Sequence, residues 1–412
     1  MTLDAVVIGA GHAGLAVSRR LVDAGIEHVV LERGQVAETW RSQRWDSFRL
    51  NTPSLVNRLP GGPPAADPDG FLGRDEWIAE LDSYARALPV RTQANVTSVT
   101  ADGKGGFVVM IGDDDEAIRT RSIVVASGMA NTRKRPAAAE AIDRRIEVLT
   151  TGMYRRPSQL PPGAVLVVGS AQSGCQIAED LLDAGREVFL ATGRVGRAPR
   201  RLRGRDTLAW LAESGWMTQR PADLPDPAMM RAAQPQISGV GDRGHTVSLQ
   251  WLARRGVTLL GHFESADGTR LRFGDDLAQH LRFGDEGAAK MRQHVDEYIA
   301  RRGIAAPPSE PDPADAPAEA GNFQAPTELD LMDRGVGTVI FSTGFGADYS
   351  WLRLPNVVAD GSIAHQEGRG ALDGVWFVGL LWMRMRSSGI ILGAMADSAH
   401  IAAQVVARRA AT

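Results

Sequence analysis

The run Ala5-Val6-Val7-Ile8-Gly9-Ala10-Gly11-His12-Ala13-Gly14-Leu15-Ala16-Val17 decides the fold. Four consecutive apolar residues read as a fully buried strand, and Leu15, Val17, Leu21 and Val22 follow at helical spacing. The chain therefore passes from strand to helix through the turn Gly9–Gly14. Each glycine has its own task there. Gly9 makes the tight reversal, Gly11 lets backbone approach a pyrophosphate, and Gly14 lets helix and strand pack closely. The helix start at His12 and Ala13 then points free N–H groups and a positive dipole end at the phosphates. We read His12 as a packed helix-start residue and not as a catalyst. Gly25 stops the helix, His28–Leu31 reads as a second strand, and Glu32 ends it 18 residues after Gly14. A carboxylate there accepts both ribose hydroxyls, so this unit, with Arg33 at its rim, is expected to take FAD or NAD.

The unit recurs. Gly169-Ser170-Ala171-Gln172-Ser173-Gly174 follows the apolar strand Val165–Val168 and precedes Ile177, Leu181 and Leu182. At an offset of 160 residues, Leu-x-Asp-Ala-Gly matches across Leu21–Gly25 and Leu181–Gly185. A second dinucleotide site is expected, with Ala171, small enough to be tolerated, in place of the middle glycine. The same offset carries Glu32 onto Thr192, beyond which come Arg194, Arg197, Arg200, Arg201 and Arg203. An acid would repel a 2′-phosphate, whereas an uncharged residue followed by guanidiniums can bind one, so this site suits NADPH. Taken alone, the arginine run could equally be a solvated loop in an arginine-rich chain.

Composition narrows the classes. The chain has 412 residues, 43% hydrophobic and 23% charged, which excludes disordered and fibrous proteins and suggests two or three domains. A net charge of −3 draws in neither nucleic acid nor anionic lipid. No apolar run approaches the ~18 residues of a membrane span, and Met1–Asp4 leads straight into the first strand, so a cytoplasmic protein without membrane attachment is expected. The single cysteine, Cys175, can form neither an intrachain disulfide nor a CxxC pair, which argues against the disulfide-reductase families. No Ser-His-Asp order and no metal-ligand spacing stands out.

Together with these two turns, three further segment types make the chain resemble the two-dinucleotide-domain flavoproteins, specifically the flavin-containing monooxygenase-like group. They are Thr39-Trp40-Arg41 through Asp46-Ser47-Phe48-Arg49-Leu50-Asn51-Thr52-Pro53; the β runs Ile123–Gly128 and Thr338–Gly344; and the β run Val375–Leu380. The resemblance covers most of residues 1–205 and 336–405. It implies an α/β protein with two Rossmann-like domains, the NADPH domain inserted into a split FAD domain. The expected divisions are 1–155 and 336–412 for FAD and 156–335 for NADPH, with a helical and hairpin insertion at about 206–330. It also implies cofactor contacts from Trp40, Arg41, Thr52, Ser127, Gly128, Thr343, Gly344, Gly379, Leu380 and Ser388. Asn51 matches an asparagine that in the family hydrogen-bonds near flavin C4a, where oxygen adds before insertion into a small organic substrate.

One departure bears on chemistry. The family stretch F-x-G-x-x-x-H-x-x-x-Y is here Ile146 to Tyr154, with Thr150 for the histidine and Ile146 for the glycine. That disfavours Baeyer–Villiger chemistry and keeps two rivals open: an NADPH-linked flavin oxidase, and a flavoprotein serving a protein partner. A homodimer also stays open.

Elsewhere, Trp210–Trp216, Ser248–Arg255 and Leu277–Arg301 have helical spacing, and Val257–Phe263 with Arg270–Phe273 reads as a hairpin. Pro307–Pro326 reads as a mobile surface loop and Gly61–Gly70 as a lid. Arg384 is a candidate catalytic cation, with Ser387 or Ser388 as the cap of the final helix.

Overall fold

The computed structural model describes residues 2–112, 116–241, 243–318, 325–359 and 362–411. Ala5–Ile8 is buried at all four positions and lies between His28–Leu31 and Ile123–Val125, parallel to both. Val375–Phe377 returns from near the far end of the chain to pair with Ile123–Val125, also in parallel. Val90–Arg91 closes one edge, while Arg369–Gly370 and His365–Gln366 form an antiparallel margin at the other, giving seven strands. The helix His12–Asp23 lies against this sheet, with the final helix Ala394–Ala411 packed upon it.

The second sheet has five strands, all parallel, in the order Glu147–Thr150, Val336–Phe341, Ala164–Val168, Val188–Ala191, Thr258–Leu260. The architecture is thus mixed α/β with two Rossmann-like units, the second inserted in the first. The internal repeat extends well past the glycine turns. Each unit runs strand, helix, strand, edge strand, antiparallel meander, and then a strand that returns beside the first. The meander is Val96–Ala101, Phe107–Ile111, Glu116–Thr120 in one and Phe263–Asp267, Arg270–Phe273, Glu328–Asp330 in the other. The long helix Leu277–Arg302 is spliced into the second meander.

Sheet membership shifts the domain divisions read from sequence. Glu147–Thr150 and Val336–Phe341 pair in the second sheet, so the crossings lie between 125 and 147 and between 341 and 375, not at 155 and 336. An apolar β run reads alike whichever sheet receives it, and only the pairing partner decides. The two crossings touch, with Thr132–Arg133 antiparallel to Phe345–Gly346. The expected hairpin also moves: Thr258–Leu260 joins the parallel sheet, and Phe263–Asp267 turns back onto Arg270–Phe273. The three expected helices stand at Thr207–Glu213, Leu249–Arg254 and Leu277–Arg302. The stretch expected to be a mobile loop is docked where described. Asp315 is held by Arg197 and Arg292, and the Ala314 carbonyl accepts from Ser248. Residues 319–324 of that stretch lie outside the described residues. Gly61–Gly70 is anchored at its end, where the Gly70 carbonyl accepts the Ser54 N–H at 2.9 Å.

Strand and helix meet at the glycines. A Cβ on Gly14 would lie 2.0 Å from the Gly9 carbonyl oxygen, and one on Gly174 would lie 1.8 Å from that of Gly169. Gly9 and Gly169 have φ of +111° and +106°, where only glycine is unstrained, and a Cβ there would strike the backbone of Ala126 and Ser342. The middle positions differ. Gly11 has φ −81° with open space before it, and Ala171 has φ −71°, so alanine fits without strain. We therefore expect Gly14→Ala and Gly174→Ala each to lose about 1–3 kcal/mol or more in denaturant melts, and Gly11→Ala to leave the midpoint in place. An unchanged Gly14→Ala midpoint would show that the close approach is not required.

His245 fastens the second unit's loop to its glycine helix through Glu179, with Nε2 2.8 Å from Oε1. Burial lowers the imidazole pKa, but the hydrogen bond and charge of Glu179 outweigh it, and the net shift is upward. This contribution to stability is fully present below the unfolded value of about 6.5 and is lost as pH rises through the elevated folded value. The Tm gap between wild type and His245→Gln should therefore shrink from pH ~6 to alkaline pH; a gap that widens would contradict the pairing.

Candidate active site

Both glycine turns open on one cleft of about 660 Å³, and this shared opening organises the site. From the first unit come Gly9, Gly11, His12, Ala13, Glu32 and Arg33; from the second, Gln172 and Ser173 at the start of its glycine helix. Neither helix start has a side-chain cap, so first-turn N–H groups remain available to an anion. Trp40, Asn51, Thr52, Ser127, Gly128 and Gly379 line the same space. The Ser127 hydroxyl is buried there with no partner among the described residues.

The Glu32 carboxylate is buried and held in place. Oε2 accepts the Ala10 N–H at 2.8 Å and Oε1 that of Gly34 at 3.1 Å. Desolvation lowers the His12 pKa to about 4, so this imidazole is neutral at neutral pH, in keeping with a packing role. Asn51 joins the two units. Its Nδ2 donates to Gln172 at 2.9 Å, and its Oδ1 accepts from Gln176 at 2.6 Å and from the Gly239 N–H at 3.2 Å.

The arginine run divides. Arg197 is buried and bonded to Asp285 at 2.9 Å and to Asp315. Arg200 is equally buried, paired with Asp206 at 2.7 Å and donating to the Asn51 carbonyl at 3.0 Å. Both guanidiniums are buried and ion-paired inside the fold, which removes them as 2′-phosphate ligands. A buried cation needs its counter-ion in the fold, and sequence alone gives no sign of which arginines are buried. Arg194 stays exposed, with its guanidinium 4.5 Å from the Phe283 ring. Thr192 is buried at the strand end, donating to the Leu260 carbonyl at 2.7 Å with His280 Nδ1 at 2.9 Å. Ser170 accepts the Gly193 N–H at 3.0 Å.

Other expected residues serve the frame. Arg41 is turned to Asp82 and to the Val36 carbonyl. Thr343 donates to the Lys134 carbonyl at 3.2 Å and, with Gly344, knits the two crossings. Leu380 is buried in the core. Arg384 donates to the Ala396 carbonyl and lies 3.6 Å from Asp397, so it braces the final helix and does not line the cleft. Ser388 accepts N–H bonds from Arg384 and Met385, closing its own loop instead of capping a helix that starts at Ala394. Gly389, Ile390 and Ile391 reach the cleft in their place.

Among the lining residues that escaped the sequence reading, Gln176 and Arg44 carry polar chemistry. Gln176 follows Gln172 by one helical turn, a spacing that puts both on one face. Arg44 stands among Trp40, Trp45 and Phe48, and that aromatic setting was the available signal. Among the described residues no cluster could hold a metal ion, and no helix is long and apolar enough to cross a membrane.

Comparison with known proteins places this geometry. The family model described as pyridine nucleotide-disulphide oxidoreductase matches residues 6–213, a stretch containing both glycine turns. A CzcO-like oxidoreductase of Geobacillus kaustophilus is 28% identical over 404 residues, covering 97% of each chain. An indole-3-pyruvate monooxygenase of Oryza sativa subsp. japonica is 30% identical over 241 residues, covering 53% of this chain and 54% of its own. A flavin-containing monooxygenase from Stenotrophomonas maltophilia superposes with a TM-score of 0.66 at 19% identity, covering 98% of both chains. The family match corrects the exclusion drawn from the lone cysteine. Cys175 is buried, and burial pushes its thiol pKa up, so dithiol exchange has no pair to use. What the match recognises is the nucleotide-binding framework, which does not depend on such a pair. On that framework, the chain belongs to the pyridine nucleotide-disulphide oxidoreductase family and has the fold of the flavin-containing monooxygenases.

Proposed function

We propose that this protein is an NADPH-dependent FAD monooxygenase acting on a small organic substrate. The observation that carries the reading is the pair of uncapped helix starts opening on one cleft, bridged by Asn51. The first turn fits FAD: the space before Gly11 admits a pyrophosphate, buried Glu32 is placed for ribose hydroxyls, and the Ser127 hydroxyl lacks a partner among the described residues. The second turn fits NADPH, with uncharged Thr192 at the strand end and exposed Arg194 nearby. When bound, NADPH supplies a hydride and FAD accepts it and activates oxygen.

The chain's own residues orient and enclose. The helix starts hold the phosphates, and Asn51 offers a positioned amide at the junction of the two units. Leu208, Leu211, Met217 and Ile237 give the cleft an apolar wall that excludes water. FAD would occupy the unit built on residues 2–125 with the return after 341, and NADPH the inserted unit. A cytoplasmic setting supplies the reductant.

A second reading rests on Thr150, whose hydroxyl is buried without a partner among the described residues where the family fingerprint has histidine. In it, oxygen is reduced to peroxide and nothing is oxygenated.

The purified protein should be yellow, and NADPH should bleach it faster than NADH. Oxygenated product should account for most NADPH consumed with a true substrate. Stoichiometric peroxide with every substrate selects the second reading, and a colourless protein that refuses FAD overturns both. Arg194→Ala should raise the KM for NADPH about tenfold and leave that for NADH unchanged, the effect of losing one charge-assisted hydrogen bond. Equal changes for both coenzymes would remove Arg194 from the 2′-phosphate.

A further inference from the structure

Arg44 follows the short helix Glu38–Gln43 and lines the cleft. Its guanidinium carbon lies 5.3 Å from the Trp40 ring centroid, 5.7 Å from that of Phe48 and 5.5 Å from that of Phe345. Of the five N–H donors of a guanidinium, one is used among the described residues, by Nη1 on the Gln43 carbonyl at 3.0 Å. Among the described residues no carboxylate pairs with it. Two neighbouring arginines differ: Arg41 is bound to Asp82, and Arg74 to Asp46 and Asp75. Burial with no counter-ion pushes the Arg44 guanidinium down to about 10. Aromatic rings steady a cation but do not satisfy its N–H edge, and an enclosed charge without an anion is costly. Arg44 is half-buried and is among the residues lining the cleft.

Building on the function proposed above, we infer that Arg44 is the substrate-recognition cation of the cleft and that the substrate is a small carboxylic acid with a flat apolar body. A planar carboxylate matches the guanidinium edge in a bidentate pair, and rings beside it suit an aromatic or similarly flat group. Phosphate is the other anion a dinucleotide site could present. Each expected pyrophosphate already has a helix start and a glycine or alanine turn of its own, and Arg44 belongs to neither turn. It stands instead beside Phe345, where the two crossings run together.

The test uses the flavin-loaded enzyme without NADPH, titrated with 3-phenylpropionate and with the uncharged 3-phenylpropanamide, following the flavin absorbance and, in parallel, binding heat. Wild type should bind the acid at least about tenfold more tightly than the amide, as one charge-assisted pair implies. Arg44→Met should bring the two within about twofold, Arg44→Lys should keep part of the preference, and FAD content and the KM for NADPH should stay unchanged in both. Equal binding of acid and amide by wild type, or no binding of the acid at millimolar concentration, overturns the inference. So does loss of FAD or a raised KM for NADPH with the acid preference intact, which would make the partner a nucleotide phosphate. Because binding is read without turnover, an enzyme that released only peroxide would refute oxygenation and leave this assignment standing.

Discussion

Everything in this molecule rests on how closely a helix can approach the strand before it. With no Cβ at Gly14 and Gly174, each glycine helix settles directly on the carbonyl of Gly9 or Gly169. The helix starts then stand at the carboxyl ends of parallel strands, where an open α/β sheet binds its ligand. The same closeness brings small residues of the returning strands over the turn: Ala126 in one unit and Ser342 in the other. Those strands are counterparts in the repeat, which explains why each ends in a small residue followed by a glycine of positive φ, Gly128 and Gly344.

Two sites built alike become different by what surrounds them. The first keeps an acid at the strand end and ties it to the turn; the second has Thr192 there, tied to His280. The buried cations near the second site are structural. Arg197 holds the docked stretch around Asp315 to the long helix through Asp285, and Arg200 reaches from Asp206 to the backbone of Asn51. Removing one partner of such a buried pair costs about 3–5 kcal/mol, so both arginines have little freedom to meet a ligand, and Arg200 fastens the junction of the two units. Asn51 gains its place from this fastening: its carbonyl is fixed by Arg200 while its amide meets Gln172 and Gln176.

The local part of this was legible in the sequence and the distant part was not. Gly9–Gly14, Glu32 and the copy at Gly169–Gly174 follow from spacing and residue type, because strand, turn and helix are contiguous. The fate of Arg197, Arg200 and Arg384 depends on Asp315, Asp206 and Asp397; Asp315 is far along the chain, and even the near ones are chosen by burial, which spacing does not encode. Sheet membership of Glu147–Thr150 was invisible for a similar reason, since an edge strand is defined by its neighbour. Arg44 was overlooked because, in a chain rich in arginine, its aromatic sequence neighbours are a weak cue, and Phe345 beside it and its lack of a carboxylate partner are seen only in the fold.

The ribbon formed by Thr132–Arg133 and Phe345–Gly346 makes the two passages between units a single strip. A lone linker would let one half swivel freely about its bonds. A paired strip bends as a leaf spring does, readily across its flat face and stiffly in every other direction. The units are thereby tied at two places, at this strip and through the bonds of Asn51 to Gln172 and Gln176.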